Sequence, residues 1–218
     1  MASTRVTRRR FLTDTGLGAL AAAGAGVLLA PRAARAAAQA KVGAAAPAFS
    51  LPATSGSAQS LGDLKGKIVV LEWTNHECPY VRKHYESGNM QALQREATGQ
   101  GVVWLSIISS APGTQGYVTP PQADELTSSR KAAPSAVLLD PAGNVGKTYG
   151  ATNTPHMYVI DKTGTLAYAG AIDDRPTSRR ADVQGAHNYV RAALASVAAG
   201  EPVKTPVTRA YGCTVKYA

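Results

Sequence analysis

Cys78 stands between two contrasting stretches, Ile68-Val69-Val70-Leu71-Glu72-Trp73 on one side and Pro79-Tyr80-Val81-Arg82-Lys83 on the other. The first is a short apolar run rich in β-branched residues, the pattern of a buried strand. Pro79 suits the first turn of a helix, where its missing N–H costs nothing. Cys78 is therefore expected at a strand-to-helix junction, against the unpaired N–H groups and partial positive charge of a helix start. That setting favours the thiolate, the form of cysteine that attacks sulfur or oxygen electrophiles. Arg82, one helical turn on, is expected to reinforce the effect, and Glu77 to oppose it. His76 is placed either to tune the thiolate and relay protons or simply to cap the loop. The competing reading of Cys78 is a small buried apolar residue with no chemistry.

The second cysteine is Cys213, near the C-terminus. Only one intramolecular pairing exists. A Cys78–Cys213 disulfide would close a loop of more than a hundred residues, worth up to about 5 kcal/mol in the chain-entropy model.

The elements that must position these residues follow along the chain. Residues 1–40 read as an export leader: Thr7-Arg8-Arg9-Arg10-Phe11-Leu12 is a twin-arginine pattern, Leu17 to Ala30 is apolar, and Ala34-Arg35-Ala36 and Ala38-Gln39-Ala40 are small-x-small cleavage candidates. The apolar run is too short to span a bilayer, which needs about 20 residues. No Cys lies near it, so no lipid anchor is expected, nor any permanent membrane attachment once the leader is removed. The expected location is periplasmic or extracytoplasmic, a compartment that allows disulfides.

The leader also carries much of the charge. The formal net charge is +9, of which six Arg and one Asp fall in residues 1–40. The remainder, 17 basic and 13 acidic residues, is only mildly basic. No basic stripe with interleaved aromatics occurs, so nucleic acid is not an expected partner. Residues 41–200 suffice for one domain with a core, and 201–218 form a tail expected to be mobile, with Pro202, Pro206 and Gly212.

Within the domain a short strand is expected at Phe49–Leu51, and a helix from Cys78 to about Gly99 with a kink near Ser87-Gly88. A parallel strand at 102–108 follows, then a helix from Pro120 capped by Thr119, a strand at 135–140, and a short helix from Asn144 to Tyr149. Thr154-Pro155 opens a strand through Asp161, and Lys162-Thr163-Gly164 turns it into the partner strand 165–172. A last helix spans about 185–199. Asp173-Asp174 reads as a turn with two solvated carboxylates, or as the mouth of the site or a cation site.

This order, strand–Cys–helix–strand, insertion, Thr-Pro–strand–hairpin–strand–helix, resembles the thioredoxin fold over roughly residues 41–200. The resemblance implies an α/β, three-layer α/β/α sandwich around a mixed sheet, with a redoxin-type N-terminal extension, an insertion and a C-terminal tail. It implies a cis Thr154-Pro155 bond that brings the Thr154 backbone to the sulfur and lets it pair with an extended partner. The entry Val42-Gly43…Pro47-Ala48-Phe49…Gly66-Lys67…Val69-Val70-Leu71 is similar to the redoxin branch shared by peroxiredoxins (AhpC/TSA-related) and exported thiol oxidoreductases. Within that branch, Asn75-His76-Glu77-Cys78-Pro79-Tyr80-Val81, Gly170-Ala171-Ile172-Asp173-Asp174 and Gly212-Cys213-Thr214-Val215-Lys216-Tyr217 look like a peroxiredoxin-like group, with Glu77 as an extra residue between His and Cys.

The departures narrow the chemistry. A thioredoxin dithiol would place its second Cys at Val81. A peroxiredoxin's Pro-x-x-x-Thr-x-x-Cys would place Pro at Leu71 and Thr at Asn75. The resemblance leaves Cys213, a Cys that recurs in such tails, as the resolving partner of Cys78, or as one half of a permanent disulfide pinning the tail. The expected activity is thiol–disulfide or peroxide chemistry, with an exported reductant of unknown identity, no cofactor and no resident metal; redoxins often pair as homodimers. Two other readings stand beside it. Cys78, His76 and His156 imitate part of the copper chaperones of this fold, which copper titration of the reduced protein tests. A non-catalytic redoxin scaffold is the third.

Overall fold

The computed structural model describes residues 39–218; the leader expected at residues 1–40 lies almost wholly outside them. A hairpin comes first, β1 (Ser50–Pro52) with β2 (Ala58–Ser60), then a 3-10 turn (Leu61–Leu64). The core strand β3 (Val69–Trp73) leads into α1 (Pro79–Glu86) and α2 (Asn89–Gly99). β4 (Val103–Ile108), α3 (Pro120–Ser129), β5 (Ala136–Leu139) and α4 (Asn144–Tyr149) follow. Then come β6 (Asn153–Thr154), β7 (His156–Ile160), β8 (Leu166–Gly170), a second 3-10 turn (Arg180–Val183), α5 (Tyr189–Ala199) and β9 (Cys213–Thr214).

The main sheet has the order β5-β4-β3-β7-β8. β3, β4 and β5 run parallel, whereas β7 and β8 run antiparallel to their neighbours. All five residues of β3 are buried, because both faces of the sheet are covered. Alternation sends Val70 toward Val81, Met90, Leu93, Val190 and Ala193 of α1, α2 and α5. It sends Val69, Leu71 and Trp73 toward Phe49, Leu51, Val145 and Tyr149 of the hairpin and α4. This is the mixed-sheet, thioredoxin-like α/β architecture. Among the described residues no helix is long and apolar enough to cross a membrane.

Three expectations need correction. The helix after Cys78 is two helices, because Gly88 takes a left-handed φ of +76° between them, a conformation only glycine adopts at little cost. Asp173 is not a solvated carboxylate: it is buried at 2% exposure, while Asp174 remains exposed. The tail is not free. Ala169 N–H donates to Pro206 O, Thr208 N–H to Ala169 O, Val215 N–H to Thr152 O, and Ala111 N–H to Lys216 O.

Candidate active site

Cys78 is the N-cap of α1, with extended backbone, and Pro79 opens the helix behind it. Its loop is built by Asn75, itself buried. The Asn75 carbonyl accepts from Cys78 N–H at 3.1 Å, its side-chain oxygen accepts from Glu77 N–H at 2.9 Å, and its amide donates to Gln115 O at 3.3 Å. Glu77 folds onto Gly116 N–H at 2.6 Å. The segment 111–118 is thereby fastened over the cysteine turn, and a side chain on Gly116 would collide with Asn75.

The Cys78 sulfur is fully buried and lies 3.0 Å from Thr154 O, the residue before the cis Thr154-Pro155 bond. The tail completes the site. β9 pairs antiparallel with β6, setting Cys213 opposite Thr154 and Thr214 opposite Asn153. The Cys213 backbone N–H points at the Cys78 sulfur at 3.4 Å. Asn153 donates to Gly212 O at 2.8 Å and Thr154 Oγ1 to Cys213 O at 3.4 Å. Gly212 has φ +123°, and a Cβ there would collide with the Thr154 carbonyl; only glycine lets the two chains approach this closely. Both cysteines are free thiols. Burial, then the hydrogen bond to Cys78 and its charge, push the half-buried Cys213 thiol up to about 12.

Cys78, Cys213, Thr154 and Pro155 are thus brought together. Arg82 and His76 are not brought to the sulfur. The Arg82 side chain is 58% exposed and pairs with Glu86 at 2.8 Å on the outer face of α1. His76 lines a small cavity of about 30 Å³ with Thr74, Tyr85, Thr127 and Arg130. Arg130 donates to the His76 carbonyl at 3.2 Å. Burial lowers the His76 pKa, against the pull of Glu77 and with the help of Arg130. His156 is buried under Tyr158, and its Nδ1 accepts from Thr152 N–H at 3.3 Å. Burial depresses its pKa to about 4. Among the described residues no three His, Cys, Asp or Glu side chains gather as a metal set would.

Behind the site sits a cluster that sequence reasoning missed. Lys83 and His84 of α1 are buried with Asp173. All three converge on the hydroxyl of Tyr211, two residues before Cys213: Lys83 donates at 3.1 Å, His84 Nε2 lies at 3.2 Å, and the hydroxyl donates to Asp173 Oδ1 in a short hydrogen bond. Burial, with Lys83 adding, depresses the His84 pKa to about 3, so His84 is neutral. The Asn89 amide, 2.9 Å from Nδ1, faces it as donor and leaves Nε2–H for Tyr211. Burial lowers the Lys83 pKa, opposed by Asp173. Burial, reinforced by the Asp173 hydrogen bond, holds the Tyr211 phenol well above its usual value. In the sequence, Arg82-Lys83-His84 looks like a solvated helix face. The available signal was the Tyr211-Gly212-Cys213 adjacency together with Asp173.

The comparisons agree with this architecture. A conserved protein from Geobacillus kaustophilus, uncharacterised by its description, superposes with a TM-score of 0.71 at 26% identity, over 82% of this chain and 93% of that one. A hypothetical protein from Sinorhizobium meliloti gives 0.70 at 24%, over 84% and 97%. A structure assigned as a thiol:disulfide interchange protein DsbE from Chlorobium tepidum gives 0.52 at 24%, over 72% and 99%. These likenesses define a thioredoxin-fold protein. The AhpC/TSA family matches residues 42–169, more than half of the chain, and the protein belongs to that family, a redoxin of the peroxiredoxin-like group. A search of curated proteins finds no match.

Proposed function

We propose that the protein is an exported thiol–disulfide oxidoreductase in which Cys78 and Cys213 form one redox couple. The observation that carries the reading is the Cys213 N–H on the Cys78 sulfur at 3.4 Å, with Cys213 registered against Thr154. In the cycle, the Cys78 thiolate attacks a substrate disulfide, forming a mixed disulfide and releasing one substrate thiolate. The released substrate thiolate takes the Cys213 proton, and the Cys213 sulfur then attacks the Cys78 sulfur and expels the second substrate thiolate. The substrate gains two electrons, and the Cys78–Cys213 disulfide is returned to two thiols by an external dithiol reductant.

A disulfide is favoured over a peroxide as the oxidant. At the place where peroxiredoxins carry a hydroxyl, both polar atoms of the Asn75 side chain are engaged within the loop. Arg82 is engaged by Glu86. Neither hydrogen-bonds to the Cys78 sulfur, whose partners are Thr154 O and Cys213 N–H. Export rests on the twin-arginine leader pattern, and the N-terminal sequence of the secreted protein tests it.

The couple is tested by mass and thiol counting after mild oxidant, with Cys78→Ser and Cys213→Ser in parallel and peroxide consumption monitored. A reversible loss of two hydrogens, abolished by either substitution, is expected. Two free thiols persisting under oxidant would sink the proposal. So would a reduction potential below roughly −300 mV, the range of structural disulfides.

A further inference from the structure

The tail occupies the edge that an extended partner would use. Thr154 presents its backbone beside the Cys78 sulfur, and β9 already takes that position. With the tail seated, neither thiol is well placed to meet an external disulfide. Cys78 is fully buried, and Cys213, the half-exposed one, has its thiol held in the poorly nucleophilic protonated form. Entry of a substrate therefore requires that the strand lift, and something must set how readily it does so.

We propose that Tyr211 is the latch of this strand, and that Lys83, His84 and Asp173 form its socket. These are positioning residues: they act on Cys78 only through the seating of Cys213. The inference rests on the redox couple proposed above and adds a closed resting state that a protein or peptide disulfide must displace.

The socket belongs to the body of the domain, on α1 and on the segment after β8. Only Tyr211 belongs to the tail. Lys83 and Asp173 side chains are 0% and 2% exposed, with Nζ and Oδ2 3.6 Å apart. Lys83 also donates to Arg175 O at 2.8 Å. Burying such a pair is costly, and an apolar pair of the same size would pack as well; it is retained here around a single hydroxyl from the tail. That hydroxyl accepts from Lys83 and His84 and donates to Asp173, so it uses its whole hydrogen-bonding capacity. Asp173 Oδ1 accepts from Arg175 N–H at 3.0 Å as well as from Tyr211, and its Oδ2 has no hydrogen-bond partner. Removing the hydroxyl leaves Lys83, His84 and Asp173 each short of a partner. The ring adds to the hold: Lys83 Nζ lies 5.1 Å from its centroid, and Tyr80, two residues after Cys78, packs at 5.9 Å. The latch is thus fastened to the helix that Cys78 begins.

The test is alkylation of the fully reduced protein, with the modified cysteine identified by mass spectrometry, and hydrogen exchange read residue by residue. Tyr211→Phe keeps the ring and removes the hydroxyl. Cys78 is expected to alkylate about tenfold faster or more. Amide exchange over residues 211–216 should rise while that of β4 is unchanged. Lys83→Met, which removes the charge from the socket, should act in the same direction. Unchanged alkylation in both variants overturns the latch, as does an equal rise of exchange in β4, which would mean general loosening. The assay uses thiols only, so its outcome is independent of whether a Cys78–Cys213 disulfide forms. If the disulfide fails to form while alkylation still responds, the redox couple falls and the latch stands.

Discussion

Gly212 shows how one missing atom shapes the site. Its neighbour Cys213 can lie opposite Thr154 only because no Cβ intervenes, and its φ lies in the region that other residues avoid. Gly212→Ala is expected to lower stability by about 1–2 kcal/mol and to slow formation of the Cys78–Cys213 bond, read by urea denaturation and by timed thiol trapping. If both match the wild type, the tail is not seated as described. His156 offers a second prediction. Its Nδ1 is an acceptor for Thr152 N–H, so protonation there removes the bond. The folded-state pKa, about 4, is below the ordinary 6.5. The neutral form is therefore favoured on folding, and its contribution is intact above pH 6.5 and lost as pH falls toward 4. Between pH 7 and 5 the loss should be about 2 kcal/mol, and His156→Gln should abolish that part of the slope in urea melts. A slope unchanged by the substitution would assign it to other groups.

Among the elements, β3 does more than carry the cysteine loop. Its Glu72 side chain is fully buried and accepts from Tyr85 OH at 2.8 Å, Gln94 at 3.1 Å, Trp104 Nε1 at 2.8 Å and Ser106 at 2.9 Å. One carboxylate thus ties the central strand to α1, α2 and β4, which fixes the angle at which α1 presents Cys78. Glu72→Gln keeps the shape but turns one acceptor into a donor among four donors. It should cost about 2–3 kcal/mol, measured as the shift in urea midpoint; a loss below 0.5 kcal/mol, the usual surface value, would mean the network reorganises freely. The strand itself was legible from its apolar run. The inward Glu was not, because a charge in a strand reads as an outward position until the neighbouring elements supply its donors.

Across the domain, the tail is a strap running from Pro206 to Tyr217. At its far end Tyr217 packs on Gly143 and Gly146 and donates to Ala151 O at 2.6 Å. Near its start Thr208 Oγ1 lies 2.6 Å from Tyr168 OH and accepts from Ala171 N–H at 2.9 Å. Cys213 lies between these two anchorages and Tyr211. A Cys78–Cys213 disulfide, on the couple proposed above, would cross-link positions 135 residues apart.

The order of the main strands and helices, the junction that holds Cys78 and the Thr154-Pro155 turn were readable from the chain alone. These signals are local: apolar periodicity and a proline at the start of a helix or strand. What the chain alone could not say is which charged residues turn inward. Arg82 was expected beside the thiolate and faces solvent, whereas Asp173, expected in a solvated turn, is buried with Lys83 and His84 around Tyr211. The reason is physical. A charge is tolerated inside only when partners arrive from other parts of the chain, and here they come from α1, the segment after β8 and the tail, which only folding brings to one point.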